Sequence, residues 1–319
     1  IRDTILKCGG EIHFKSRITD IIIEDNCFRG VEINYDRILN ADDLVLATGH
    51  SSRDIYRILF SREVKLAFKP FAMGVRVEHP QELIDRIQYH GQTRGEFLPP
   101  ASYSVVTQVD GRGVYSFCMC PGGFMVPSAT GPEEVVVNGM SPSGRNSRYA
   151  NSGMVAEIRE EDIPAEFGRS PLAGMYYQQW LEKLAWENGG RSQRAPAQRL
   201  ADFINGKRSA TLPDVSYFPG VTSSALNEWM PESIASRLQK GFSVFGRSLK
   251  GFITNDAVVV AVESRTSSPV RILRDRDTMT AEGITGLYPA GEGAGYAGGI
   301  VSSAVDGQRV AEKIVAKYL

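Results

Sequence analysis

The sequence predicts an α/β protein, and three observations carry that reading. Short apolar strands dominate the early chain, helical spacing fills much of 172–250, and the chain closes on a strand, a glycine-rich turn and a long helix. At 319 residues there is room for two domains. A composition of 42% hydrophobic and 23% charged residues supplies an ordinary globular core. The net charge of −1 gives no reason to expect non-specific binding to nucleic acid or to a membrane surface. No apolar run approaches the roughly 18 residues that a membrane span needs. Four cysteines make no disulfide framework, so a reducing, cytoplasmic setting is expected.

Residues 1–7 have helical apolar spacing and end at Gly9-Gly10, so the chain begins inside a helix and an upstream part is expected. Strands are predicted at 11–14, 18–24 and 28–34, the last two around Asp25-Asn26, with a buried parallel strand at 43–47. Ser51 and Asp54 have the spacing of a capping box. A strand at 71–78 follows, then a hairpin of 102–109 and 114–119 around Asp110-Gly111-Arg112-Gly113. Tyr177, Trp180, Leu181 and Leu184 share a helical face, which Gly189-Gly190 ends. Pro196 and Pro231 suit the first turns of helices, and the basic stretch 191–208 reads as a solvated helix surface. Strands return at 257–264, 270–273 and 286–290, before a helix over 300–317.

The closing turn, Gly293-Ala294-Gly295-Tyr296-Ala297-Gly298, matches the dinucleotide fingerprint G-x-G-x-x-G. That role fails on position, because a Rossmann unit needs a further strand and an acidic residue about 20 positions on. The physics of the turn remains. Glycines at 291, 293, 295, 298 and 299 let backbone approach a ligand, and the helix start favours negative charge. Glu292 is placed to accept hydrogen bonds from a sugar-like hydroxyl.

The segment Leu287-Tyr288-Pro289-Ala290-Gly291-Glu292-Gly293 through Gly299, with Ala304-Val305-Asp306-Gly307 beyond it, resembles the C-terminal FAD motif of glutathione-reductase-type flavoproteins. The resemblance implies that Glu292 bonds the ribityl chain and that Gly298, Gly299, Ile300 and Val301 face the pyrimidine edge of the flavin. The family more often has Asp at the Glu292 position. Ala47-Thr48-Gly49 is similar to the Ala-Thr-Gly strand end of the same fold, which adds Thr48, Gly49 and Gly291 to the expected FAD contacts. Across the whole chain, the stretches 69–80, 117–123, 137–141 and 263–271 resemble the FAD-dependent, or NAD(FAD)-utilising, dehydrogenases. The resemblance implies the C-terminal three-fifths of a longer enzyme, lacking an N-terminal G-x-G-x-x-G segment and inactive without it. It implies a partial FAD/NAD(P)-binding Rossmann-like domain from 1–55 and 280–319, with an inserted mixed α+β substrate or cap domain over 56–279.

Arg265, Arg76, His79 and Cys120 are the candidate catalytic residues, and Arg271 is a further arginine to test. Arg76 and Glu78 fall on one strand face, where they suit either an anionic-substrate pocket or a solvated ion pair. His79 is a candidate acid/base or a structural strand terminus. Cys118 and Cys120, two apart on a predicted strand, would point to one face as a redox pair or as two small buried hydrophobes. No Cys/His set has zinc spacing, so no metal is expected. The expected function is an FAD-dependent oxidoreductase acting on a small molecule, with NAD(P)H as candidate electron donor. The alternatives are a flavin-dependent RNA-modifying or monooxygenase-type enzyme and a non-catalytic flavin-binding sensor.

Overall fold

The computed structural model describes residues 1–91 and 93–319, a mixed α/β chain that divides into two units. The first comprises Ile1–Ala67 and Val270–Leu319, and the second is the continuous stretch Phe68–Pro269.

The first unit starts with the helix Arg2–Lys7 and a three-stranded antiparallel sheet of Ile18–Glu24, Cys27–Ile33 and Arg37–Asn40. Asp25 and Asn26 turn the first pair at φ values of 51° and 59°, a left-handed conformation that Asn and Asp tolerate better than other side-chain-bearing residues. The predicted strand at 11–14 is absent, since those residues run as turn and coil. The helix Arg53–Ser61 buries Ile55, Tyr56 and Leu59. Leu44–Leu46 then pairs in parallel with Leu287–Pro289, Leu44 opposite Leu287. The unit closes with the helix Ile300–Tyr318.

The second unit is built on a seven-stranded sheet. Its spatial order is Val221–Ser223, Ala195–Arg199, Val258–Glu263, Phe71–Pro80, Tyr149–Ile158, Arg112–Cys120 and Val106–Val109. The first two strands run parallel and every other neighbouring pair is antiparallel, so the sheet is mixed. Phe71–Pro80 and Tyr149–Ile158 pair without a break from Phe71 opposite Ile158 to Pro80 opposite Tyr149. The helices Ala173–Asn188 and Glu232–Ser248 contribute Tyr177, Leu181, Phe242 and Phe245 to the core formed with Val75, Val77, Met154 and Val260. The face carrying Tyr177 is buried, with Trp180 stacked on it at 5.8 Å.

Three sequence expectations change here. Pro196 lies in the sheet strand Ala195–Arg199, so the stretch 191–208 holds a buried strand rather than a solvated helix surface. Arg76 and Glu78 share a strand face, yet both are buried. Cys118 and Cys120 do not point to one face: a bulge in the pairing with Asn151–Gly153 puts Cys118 at φ 45°, exposed, while Cys120 is buried.

Candidate functional site

In the first unit, the two parallel strands both run out into glycine turns on the same side. Ala290 N–H donates to Leu46 O at 3.0 Å, which carries the pairing one step past the strands. Gly49 and Gly291 then turn with φ of 71° and 73°. A Cβ on Gly293 would fall 2.5 Å from Gly49 O, so only glycine lets the two turns touch. Tyr56, buried in the Arg53–Ser61 helix, donates its hydroxyl to Gly293 O at 2.7 Å and clamps the contact. Glu292 projects from the same turn, with one carboxylate oxygen 3.3 Å from His50 Nδ1 but without hydrogen-bond alignment.

An ion pair holds the turn from behind. Asp306 accepts from Gly291 N–H at 2.7 Å and from the Arg274 guanidinium at 3.0 and 2.5 Å. Arg274 also donates to Pro289 O at 2.7 Å and lies 3.9 Å from the Tyr296 ring centroid. Burial alone would raise the Asp306 pKa, but the hydrogen bonds from Arg274 and Gly291 outweigh it and hold the carboxyl below its ordinary range. Beyond the turn, the helix begins at Gly299 with Ile300 and Val301 strongly exposed, at 91% and 76%. They line a cavity of about 760 Å³ together with Gly298, Gly299 and Ser302. The first-turn N–H groups of this helix have no intrahelical partners, by the geometry of any helix start.

Thr48, Gly49, Gly291, Glu292, Gly298, Gly299, Ile300 and Val301 thus all lie on the two turns and the helix start of the first unit. Open space lies in front of Gly298, where an added Cβ would meet nothing within 4 Å. An acidic acceptor, close-packed glycine backbone at the carboxyl ends of two parallel strands, and free helix N–H groups match the needs of a dinucleotide-type ligand.

Arg265, Arg76, His79 and Cys120 all lie in the second unit. Arg76 is fully buried, and its guanidinium meets Glu263 at 2.8 and 3.2 Å, Asn151 Oδ1 at 2.7 Å, Asn138 Oδ1 at 3.2 Å and the Cys118 carbonyl at 3.2 Å. It therefore ties together the bulge at Cys118, the strand Val137–Met140 and two central strands. Arg265 reaches Glu182 at 2.9 Å, Glu134 at 3.0 Å and Thr130 at 2.6 Å, with its side chain only 6% exposed. His79 is wholly buried against the Phe252 ring. Its Nε2 lies 2.8 Å from Phe252 O, and its Nδ1 has no partner among the described residues. Burial pushes its pKa down to about 4. Cys120 Sγ donates to the Cys118 carbonyl at 3.3 Å.

Asn138, Asn151, Glu263, Tyr56 and Arg274 were not picked out from the sequence. Asn138 and Glu263 do sit within stretches that resemble the family, but a carboxylate that neutralises a distant arginine leaves no local spacing signal. Among the described residues, no cluster of His, Cys, Asp and Glu could hold a metal ion, and no helix is long and apolar enough to cross a membrane.

The second unit holds a buried arginine network in a mixed sheet, and the first brings glycine turns together at the ends of two parallel strands. Residues 70–266 match the family described as FAD-dependent protein, C-terminal domain-like, and the chain belongs to that family. It is 42% identical over 322 residues to an uncharacterized protein of Clostridium beijerinckii, covering 100% of this chain and 60% of that one. The chain thus spans about three-fifths of the length of the relative it matches. An oxidoreductase from Methanosarcina mazei aligns over 98% of this chain and 52% of its own at 14% identity, with a TM-score of 0.36, too low to carry an argument.

Proposed function

We propose that the chain forms the C-terminal part of an FAD-dependent oxidoreductase. In this reading the first unit is the partial Rossmann-like flavin half and the second is the inserted substrate or cap domain. The observation that carries the reading is the contact of Gly293 with Gly49, which brings two glycine turns together at parallel strand ends. Membership of an FAD-dependent family supports the choice of ligand.

Thr48, Gly49, Gly291 and Gly298 would present backbone to FAD, and Glu292 would accept hydrogen bonds from a ribityl-type hydroxyl. The N–H groups at Gly299, Ile300 and Val301 favour negative charge beside them, as any helix start does. Bound flavin supplies hydride chemistry for a small-molecule substrate, with a reduced nicotinamide nucleotide as donor. Arg265, Arg76, His79 and Cys120 act in this reading from behind the substrate surface, fixing the loops and strand ends that carry it. Arg76 does so for the Cys118 bulge and the Asn138 strand.

The test uses the full-length protein. It should purify with FAD, or take it up, and NADH or NADPH should bleach the flavin absorbance within seconds under anaerobic conditions. Gly293→Val should lose FAD while the second unit keeps its thermal transition. A wild-type protein that neither carries nor takes up FAD overturns the proposal. One that binds FAD but is reduced by no donor is a flavin sensor.

A further inference from the structure

Beside the glycine turn, the first unit gathers cations that the flavin reading does not use. A cavity of about 450 Å³ is lined by Arg271, Arg274, Arg276, Arg309 and Lys313, with Glu312 the one acidic lining residue. Local structure explains the convergence. The strand Val270–Ile272 buries its two outer residues, so alternation turns Arg271 outward. Asp275 accepts from the N–H groups of Asp277 and Thr278 at 2.9 and 2.8 Å, a tight turn that leaves Arg276 exposed. Arg309 and Lys313 lie one turn apart on the Ile300–Tyr318 helix and so share a face.

Little inside the unit neutralises them. Arg274 is taken by Asp306, and Glu312, a carboxylate that accepts from Gln308 at 3.0 Å, offsets at most one of the remaining four cations. Arg271, Arg276, Arg309 and Lys313 form no ion pair among the described residues. Four like charges around one cavity repel each other, and an anion seated between them removes that cost. The volume falls within the range of small-molecule pockets, roughly 300–1,000 Å³. Tyr296, the aromatic lining residue, already carries Arg274 at 3.9 Å and Arg271 at 5.3 Å from its ring centroid, so a base finds little to stack on.

We propose that this pocket binds a small soluble polyphosphate and recognises its charge rather than any base attached to it. The inference is separable from the flavin reading through Arg271, Arg276 and Lys313, which line this pocket alone, while Arg309 and Tyr296 also line the cavity at the start of the Ile300–Tyr318 helix.

The experiment titrates full-length protein, in the flavin state in which it purifies, with tripolyphosphate, ATP and adenosine at about 0.15 M salt. Tripolyphosphate and ATP should bind within a few-fold of each other, and adenosine should not bind. Arg276→Glu with Lys313→Glu should weaken both by about a hundredfold, on the order of tenfold per reversed charge. Arg208→Glu with Lys250→Glu, exposed cations of the second unit, changes the net charge equally and should leave binding intact. No binding by wild type, equal loss in the two double variants, or ATP binding without tripolyphosphate binding each overturns the proposal. So does release of FAD into the filtrate on adding tripolyphosphate, which would make the pocket part of the cofactor's own phosphate site. Absorbance at the flavin band, read in parallel, reports the fate of the flavin proposal separately.

Discussion

Arg76 and Glu263 meet at 2.8 Å with side chains 0% and 3% exposed, an ion pair sealed inside the seven-stranded sheet. Desolvation penalises both charges. Burial holds the Glu263 carboxyl above its ordinary range, and Arg76 offsets only part of that. Glu263 outweighs burial at Arg76 and keeps the guanidinium charged, with Asn151 and Asn138 accepting its remaining hydrogen bonds. Arg76→Met should therefore strand a buried carboxylate and lower unfolding stability by about 3–5 kcal/mol. Arg76→Met with Glu263→Leu removes both charges and should recover much of that loss. Urea denaturation of the three proteins checks this, and a double variant no better than the single would refute it.

Glu78 and His79 are neighbours whose titrations oppose each other. Burial raises the Glu78 pKa from 4.5 to about 7 despite hydrogen bonds from the Ser216 N–H and hydroxyl. Its contribution is complete below pH 4.5 and is lost as pH rises through about 7. Burial lowers the His79 pKa from 6.5 to about 4, so its contribution is complete above pH 6.5 and is lost as pH falls through about 4. Each shift is worth on the order of 3 kcal/mol, and across the shared interval the two slopes nearly cancel. Glu78→Gln should uncover a stability that climbs with pH up to about 6.5, and His79→Leu one that falls with pH up to about 7. Denaturation midpoints measured between pH 4 and 8 would show parallel profiles for the two variants if this account is wrong.

Arg265 joins Glu134 and Glu182, whose side chains are 4% and 0% exposed. Arg265→Ala leaves two carboxylates buried and should cost about 3–5 kcal/mol. Arg265→Lys keeps the charge but loses the fork that reaches both acids and Thr130, so it should fall between. Thermal melting ranks the variants. If Arg265→Ala melts like wild type and only turnover suffers, the residue acts on substrate instead of on the fold.

The helix Ile300–Tyr318, the Asp25-Asn26 hairpin and the short apolar strands Leu44–Leu46 and Leu287–Pro289 were legible because each writes its signal locally, as periodicity, an apolar run or turn chemistry. The pairing of those two strands with each other left no local mark. The central strand Tyr149–Ile158 was not, since its Asn151-Ser152-Gly153 reads as a turn until neighbouring strands satisfy those polar groups. Pro196 read as a helix start for the same reason, because its place in the sheet depends on partners far along the chain. For Arg76, alternation told which face it occupies but not what covers that face. The glycine turn was found because glycine marks a backbone need directly. Its supports, Tyr56 and the Arg274–Asp306 pair, act across long sequence separations and carry no such mark.

The bulge at Cys118 gives a prediction of its own. A left-handed φ of 45° strains a residue with a Cβ, so Cys118→Gly should stabilise the protein by on the order of 1 kcal/mol. Its exposed thiol should also react with a soluble thiol reagent in the native state, whereas Cys120 should react only after unfolding. Chemical melts and mass-spectrometric peptide mapping test the two halves. Equal labelling of both cysteines in native protein would show that the bulge does not separate them.

The pairing of Leu44–Leu46 with Leu287–Pro289 has a consequence in time. A ribosome delivers the first of these strands long before the second, and everything from Phe68 to Pro269 emerges between them. That continuous middle can collapse on its own core while synthesis proceeds. The Gly49 turn must wait for Gly293, so the surface of joined glycine turns is finished late, after the larger unit has had time to form. A chain stalled before its final helix would carry a finished sheet and an open turn.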